Sequence, residues 1–191
     1  MSSFELYLSL GFKHIINISA YDHIVFVLAL CAAYSFSELK KVLILITAFT
    51  IGHSISLALS TLEYVVIPAD IIEFLIPVTI LITAVSNLFP SHKGNRQKVV
   101  YAIALVFGLI HGMGFSNYLK QLLGSEVSIV KPLLSFNVGL EIGQILILSI
   151  YFLIFGISSK YLKLRFNSWK IFISGAAAGI ALTLLIQNKI W

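Results

Sequence analysis

Charged residues are scarce in this sequence, and their scarcity limits what kind of protein it can be. Asp, Glu, Lys and Arg make up 11% of the 191 residues, whereas soluble domains carry about 25%. This composition excludes an ordinary soluble domain. Cysteine is almost absent as well: with Cys31 alone, no intramolecular disulfide can form and the redox compartment stays undetermined. Residues 1–11 lack a basic segment and a small-residue cleavage site, so we expect no cleavable signal peptide.

Apolar residues dominate the chain instead. They make up 59% of it, the mean hydropathy is +0.98, and long apolar runs each approach the ~20 residues needed to cross a bilayer. We predict an all-α polytopic membrane helix bundle, one domain over residues 1–191, surrounded by the lipid bilayer. Six transmembrane helices are expected, at residues 21–35, 41–62, 65–89, 99–118, 130–155 and 169–186. The first is short for a full crossing, and the more polar residues 4–19 predict an N-terminal interfacial or half-inserted helix.

The 13 Lys and Arg residues are distributed unevenly between the two sides of the predicted bundle. Nine lie in or beside the 1–2, 3–4 and 5–6 loops, and four lie on the other side. Because basic residues accumulate on the cytoplasmic side, we predict that these three loops are cytoplasmic, in a bacterial inner membrane. Topology thus accounts for the net charge of +5, and nucleic-acid binding is not expected. If residues 4–19 cross the membrane, only the N-terminus changes sides.

Ionisable side chains inside the predicted spans are few, and such groups are usually functional. The candidates for metal ligands are Asp22, His23, His53, His111 and Glu141. At a rise of ~1.5 Å per residue, His53 and His111 lie roughly 10–14 Å from the outer ends of their helices, and Glu141 roughly 16 Å from its own. Asp22 and His23 begin their span from the same side. All five are therefore predicted in the outer half of the membrane, where together they could bind one metal ion.

Other polar residues share helical faces with these candidates. Asn137 and Gln144 lie on one stripe with Glu141, and Ser54 follows His53 directly. We expect Asn137, Gln144 and Ser54 to orient the ligands through hydrogen bonds. Imidazole and carboxylate ligands without thiolate suit a divalent transition metal such as Ni, Co or Zn, and do not discriminate among them.

Two further ionisable residues are weaker candidates for the predicted metal site, whereas two glycines support it. His14 is better explained by a position at the membrane interface, and Glu73 is equally consistent with a solvent-exposed helix face near the outer boundary. Gly112 and Gly114 follow His111, and small residues let membrane helices approach closely. We expect these glycines to bring the ligand-bearing helices together around the ion.

Four stretches carry a family resemblance, and they occur in the order Ala20-Tyr-Asp-His-Ile-Val-Phe26, Thr47-Ala-Phe-Thr-Ile-Gly-His-Ser-Ile-Ser-Leu57, Phe107-Gly-Leu-Ile-His-Gly-Met-Gly-Phe115 and Phe136-Asn-Val-Gly-Leu-Glu-Ile-Gly-Gln144. In these stretches the chain resembles the HupE/UreJ family of small polytopic membrane proteins, in its short form. The resemblance implies that the family's functional positions fall on Asp22–His23, His53–Ser54, His111–Gly112 and the Asn137, Glu141, Gln144 stripe. His14 departs from the family pattern, because seven residues rather than five separate it from Asp22.

Two functions of different classes are compatible with these residues. The family resemblance implies a permease that moves nickel or cobalt into the cell. The alternative is an intramembrane metal-dependent hydrolase, in which a zinc ion polarises a water and Glu141 acts as base on a lipid or membrane-anchored substrate. The outer position of the candidates and the lack of ionisable groups further inward favour a metal centre that stays in place, whereas the resemblance favours transport. We rank transport first, and a purely structural metal third.

Overall fold

The computed structural model describes residues 2–89, 96–123 and 128–190. The described residues form helices and no strands, which confirms the all-α class. The helices are α1 Ser3–Ile15, α2 Asp22–Ala32, α3 Leu39–Thr61, α4 Ala69–Ser86, α5 Arg96–Met113, α6 Ser116–Leu123, α7 Val130–Leu162 and α8 Phe166–Gln187. Short 3-10 turns at Ile18–Ala20 and Phe36–Glu38 precede α2 and α3. Most of the predicted loop between the third and fourth spans, including Lys93, lies outside the described residues.

Four helices are long and apolar enough to cross a membrane: α3 together with its preceding 3-10 turn, α4, α7 and α8. A fifth span exists if α5 and α6, bent by 53° relative to each other, count as one. The described residues thus contain four or five such helices by length, where the sequence predicted six. The difference lies in the first predicted span, because α2 has only 11 residues.

Helix α1, predicted as interfacial or half-inserted, lies along α7. A capping box between Ser2 and Glu5 fixes its beginning. Gly11 of α1 lies against the backbone of Phe136, and Gly139 of α7 lies against the backbone of Leu8. Two glycines therefore let the backbones touch. Since Ile15, further along α1, faces Gly143, further along α7, the two helices run in the same direction.

Helix α2 continues in the direction of α1 after a break of six residues, 16–21. The Asn87 side chain, at the end of α4, donates to the Ala29 carbonyl of α2, while Asp22 and Ile76 line one small cavity near the beginnings of the two helices. Helices α2 and α4 are thus parallel. Neither α1 nor α2 spans alone, but the pair has 24 helical residues, which rise about 36 Å at ~1.5 Å each. The break places the end of α1 beside the beginning of α2.

Helices α3 and α5 pack closely and in parallel. Gly52 lies against the backbone of Leu105, and Gly108 against that of Phe49. One turn further on, a methyl group at Gly112 would collide with the carbonyl oxygen of His53 and the hydroxyl of Ser56. This close approach puts the end of α5 beside His53, about two turns before the end of α3. Gly114 has ordinary van der Waals space around it, so the close packing expected of both glycines applies to Gly112 alone.

Candidate metal centre

Four imidazole rings from four helices meet inside the bundle. The ring centroid of His23 lies 4.6 Å from that of His14, 5.1 Å from that of His111 and 6.1 Å from that of His53. The rings of His14 and His53 are 6.0 Å apart. His23, His53 and His111 are at most 4% exposed, and His14 is half-buried. The structure therefore brings the three predicted histidines together, and it adds His14 to them.

The break between α1 and α2 and the packing of α3 on α5 position these rings. His14 is in the last turn of α1, and His23 is the second residue of α2. His53 lies eight residues before Thr61, the last residue of α3, or about 12 Å along the helix axis. His111 lies in the last turn of α5, next to the glycine that contacts the His53 carbonyl. Two helix termini and one close helix pair thus converge on one point.

Three of the four histidines are close enough to share an ion. One ring nitrogen from each of His14, His23 and His53 lies within 4.8 Å of the others. In a tetrahedral zinc site with Zn–N distances of about 2.1 Å, neighbouring nitrogens are about 3.4 Å apart. Side-chain movements of about an ångström would therefore bring these nitrogens to coordination distance.

The ring nitrogens have hydrogen-bonding capacity that the protein does not use. The buried nitrogens without a hydrogen-bond partner are Nε2 of His14, Nε2 of His23, both nitrogens of His53 and Nδ1 of His111. A buried polar atom without a partner costs about 1–3 kcal/mol. These five atoms, which include both nitrogens of His53, would be a large penalty for a structural core, and a bound cation could partner one nitrogen of each ring. The donor set therefore fits a transition-metal ion.

Asp22 fixes the ring of His23. Its Oδ1 accepts from the backbone N–H of His23 at 2.8 Å and lies 3.0 Å from His23 Nδ1. Because a carboxylate accepts a proton, this contact favours the tautomer with hydrogen on Nδ1 and a free lone pair on Nε2. A metal ion is bound through such a free lone pair, so Nε2 of His23 is available as a ligand.

Thr79 of α4 does the same for His111. Its hydroxyl donates its single proton to the Ile76 carbonyl at 2.7 Å, and its oxygen lies 2.9 Å from His111 Nε2. The imidazole must then donate from Nε2, which leaves Nδ1 as a buried lone pair without a partner. His111 is thus prepared as an acceptor toward the cluster, although its nitrogens lie outside the group of three.

Aromatic rings enclose the histidines. The Phe26 ring lies 4.7 Å from that of His111, the Phe115 ring 4.3 Å from that of His14, and the Phe136 ring stacks on His53 at 6.2 Å. The Phe49 ring lies 5.1 Å from that of His111. Such walls exclude water and lower the local dielectric constant, which strengthens interactions between a cation and its ligands.

Glu141, a predicted ligand, lies elsewhere. Its Oε1 accepts from the Thr47 hydroxyl at 2.7 Å, and Thr47 is six residues, or about 9 Å, along α3 from His53. Gln144, on the same stripe, accepts at 2.9 Å from Thr50. The structure therefore places Glu141 and Gln144 beside α3, on the side of the histidines that leads toward the beginning of that helix.

The remaining predicted residues surround the histidines at various distances. Ser54 donates to the Thr50 carbonyl of its own helix at 2.6 Å, and the buried Oδ1 of Asn137 has no hydrogen-bond partner. Glu73 is exposed and lines, with Asp22, a cavity of about 120 Å³ beside the cluster. Glu73 thus faces this cavity and not the imidazoles.

The sequence did not indicate the roles of two residues that matter for this geometry. His14 has the wrong spacing for the family motif, and the break after α1 brings it to His23 all the same. Nothing in the sequence assigned Thr79 to the metal centre, because a threonine in an apolar helix is common; only its contact with His111 distinguishes it.

The model of the HupE / UreJ protein family matches residues 1–189 of the chain. The chain belongs to the HupE/UreJ family. Membership agrees with an integral membrane helix bundle and implies a protein connected with the handling of transition metals. No curated protein and no solved structure matches the chain.

Proposed function

We propose that this HupE/UreJ protein is a permease for a divalent transition-metal ion, which it binds at the cluster of His14, His23, His53 and His111. The observation that carries this proposal is the convergence of unpartnered, buried imidazole nitrogens from four helices. Packing alone gives no reason to leave these nitrogens without partners. A metal ion would supply a partner for one nitrogen of each ring.

The residues around the ion have different roles in this proposal. His14, His23 and His53 bind the ion directly, and His111 offers a fourth lone pair once the rings close on it. Asp22 orients His23, where the sequence alone placed it among the ligands. Three or four neutral imidazoles and no thiolate suit nickel, cobalt or zinc, and the family favours nickel or cobalt as the ion transported.

The distribution of basic residues supports an inward direction of transport. Lys40 and Lys41 lie at the beginning of α3, and the excess of basic residues in the corresponding loops supports a cytoplasmic position for that end. The cluster is then about 12 Å from the outer end of α3. The ion would reach the histidines from outside and leave toward the cytoplasm.

The test uses the purified chain and radiolabelled nickel or cobalt. Equilibrium dialysis should give one tight site per chain, and proteoliposomes should accumulate the ion. A His53→Ala variant should lose both, whereas Ser54→Ala, whose hydroxyl donates to the Thr50 carbonyl of its own helix, should retain both. The proposal would be refuted if the wild-type protein showed no tight binding and no uptake.

A hydrolase is the second candidate, and the three-imidazole group is the observation that favours it. Catalytic zinc sites commonly have three protein ligands and one position for water. A base near that water is also required, and Glu141, the residue considered for it, is hydrogen-bonded to Thr47. Tightly retained zinc without uptake in proteoliposomes would favour the hydrolase over the permease.

A further inference from the structure

Glu141 is a carboxylate in a membrane helix without a cationic partner. It is half-buried in α7, and its neighbours Ile142 and Ile145 are 47% and 44% exposed on the apolar surface of the bundle. Among the residues that the structure describes, no Lys, Arg or His forms a salt bridge with it. Ionisable groups at such positions are costly and usually functional. A bound cation is the kind of partner that this carboxylate lacks.

Polar side chains connect Glu141 to the histidine cluster. Along α3, Thr50 and Thr47 follow His53 at three-residue spacing, so that one helix face carries a polar group at nearly every turn. Thr50 donates to Gln144 at 2.9 Å and Thr47 donates to Glu141 at 2.7 Å. The seam between α3 and α7 is thus polar from His53 to Glu141, over about 9 Å.

The middle of this seam also has unused hydrogen-bonding capacity. Gln144 is completely buried, and its Nε2 has no partner while its Oε1 accepts from Thr50. The two ends of a side-chain amide are assigned from the hydrogen-bond network, so rotation of the group would present the oxygen in place of the nitrogen. A buried amide with an unpaired polar atom is costly in a purely structural core, but it could contact a cation or a water bound to that cation.

We infer that Glu141 is a second cation-binding station, separate from the histidine cluster, which the metal ion occupies after leaving His53. The carboxylate oxygens of Glu141 and the hydroxyl of Thr47 would bind the ion weakly, since they are harder ligands than imidazole. Weak binding there favours release, because a conduction path needs sites that the ion can leave. This inference rests on the proposed function. In it, Glu141 is the ionisable group on the path from the histidine cluster toward the beginning of α3.

The experiment compares binding classes and transport in the full-length protein. Equilibrium dialysis with radiolabelled nickel should show a tight and a weaker class in the wild type. Glu141→Gln, which keeps the shape and an acceptor for Thr47, should lose the weaker class, leave the tight affinity unchanged within about twofold, and slow uptake by about tenfold or more. Glu63→Gln is the matched control, because Glu63 is an exposed carboxylate that pairs with Lys120 outside the seam.

The outcomes separate the inference from the proposed function. If Glu141→Gln keeps both classes and the wild-type uptake, the station does not exist. If it loses the tight class, Glu141 belongs to the histidine site and the inference is wrong. If the wild type binds nickel but transports none, the permease proposal fails, while loss of the weaker class in Glu141→Gln still supports the station. Should Glu141→Gln not fold, Glu141→Asp must retain a weaker class with altered affinity, and unchanged affinity would contradict the inference.

Discussion

Oδ1 of Asp22 bonds the backbone N–H of His23 and also lies 3.0 Å from Nδ1 of the same residue. One carboxylate oxygen thus contacts both the backbone N–H and the imidazole ring of His23. The sequence suggested that Asp22 and His23 bind an ion side by side. The contact makes Asp22 the residue that orients its neighbour, with Nε2 of His23 left free in the interior.

Replacing Asp22 by Asn tests this role. The amide keeps the shape but removes the charge that favours hydrogen on Nδ1, so metal affinity should fall by about 10–100-fold without being abolished. His23→Ala, which removes the ligand itself, should reduce affinity further. Both are measured by equilibrium dialysis with nickel or zinc. Equal losses in the two variants would show that Asp22 binds the ion directly.

Removal of the metal should destabilise the protein. A ligand at 100 times its dissociation constant stabilises the folded state by about 2.7 kcal/mol. A chelator added to the metal-loaded protein in detergent should therefore lower the thermal transition, and nickel or zinc should restore it. His53→Ala should show no response to chelator or metal. An equal response in that variant would place the stabilising ion somewhere other than the histidines.

The helical class could be read from the sequence because long runs without charge have one stable arrangement in lipid. The residues that form the cluster were harder to assign. His23, His53 and His111 were evident since a buried imidazole in an apolar helix needs a partner. His14 was a doubtful candidate, because its position depends on how α1 packs along α7, where Gly11 and Gly139 let the two backbones touch.

The register between α3 and α7 was the second feature that could not be predicted from the sequence. The stripe of Asn137, Glu141 and Gln144 correctly indicated one face of α7. Which residues of α3 it meets depends on how far the two helices slide past each other. The observed register pairs Glu141 with Thr47, about 9 Å along α3 from His53. Estimates of depth along each helix could not reveal that offset.

Thr79 offers a test that leaves all four imidazoles in place. In Thr79→Val the shape is nearly unchanged, but Nε2 of His111 loses its acceptor and the tautomer is no longer fixed. We expect metal affinity to fall by about tenfold or more, as for other groups that orient a ligand. Thr183→Val is the control, because Thr183 is exposed on α8 and donates to the Gly179 carbonyl of its own helix. Equal affinity in wild type and Thr79→Val would show that the Thr79 contact does not prepare His111 as a ligand.

The contact between α3 and α5 gives the last prediction. A methyl group at Gly112 would meet the carbonyl oxygen of His53, which is backbone and cannot rotate away, as well as the Ser56 hydroxyl. Gly112→Ala should therefore force the two helices apart and destabilise the fold by about 1–3 kcal/mol, as overpacking does in other cores. The same separation moves His53 relative to His111, so metal affinity should fall with stability. Gly175→Ala is the matched control, since a methyl group at Gly175 has no neighbour within 4 Å. Thermal unfolding in detergent and equilibrium dialysis on both variants make the comparison, and a Gly112→Ala variant as stable as Gly175→Ala would show that the helices need not be this close.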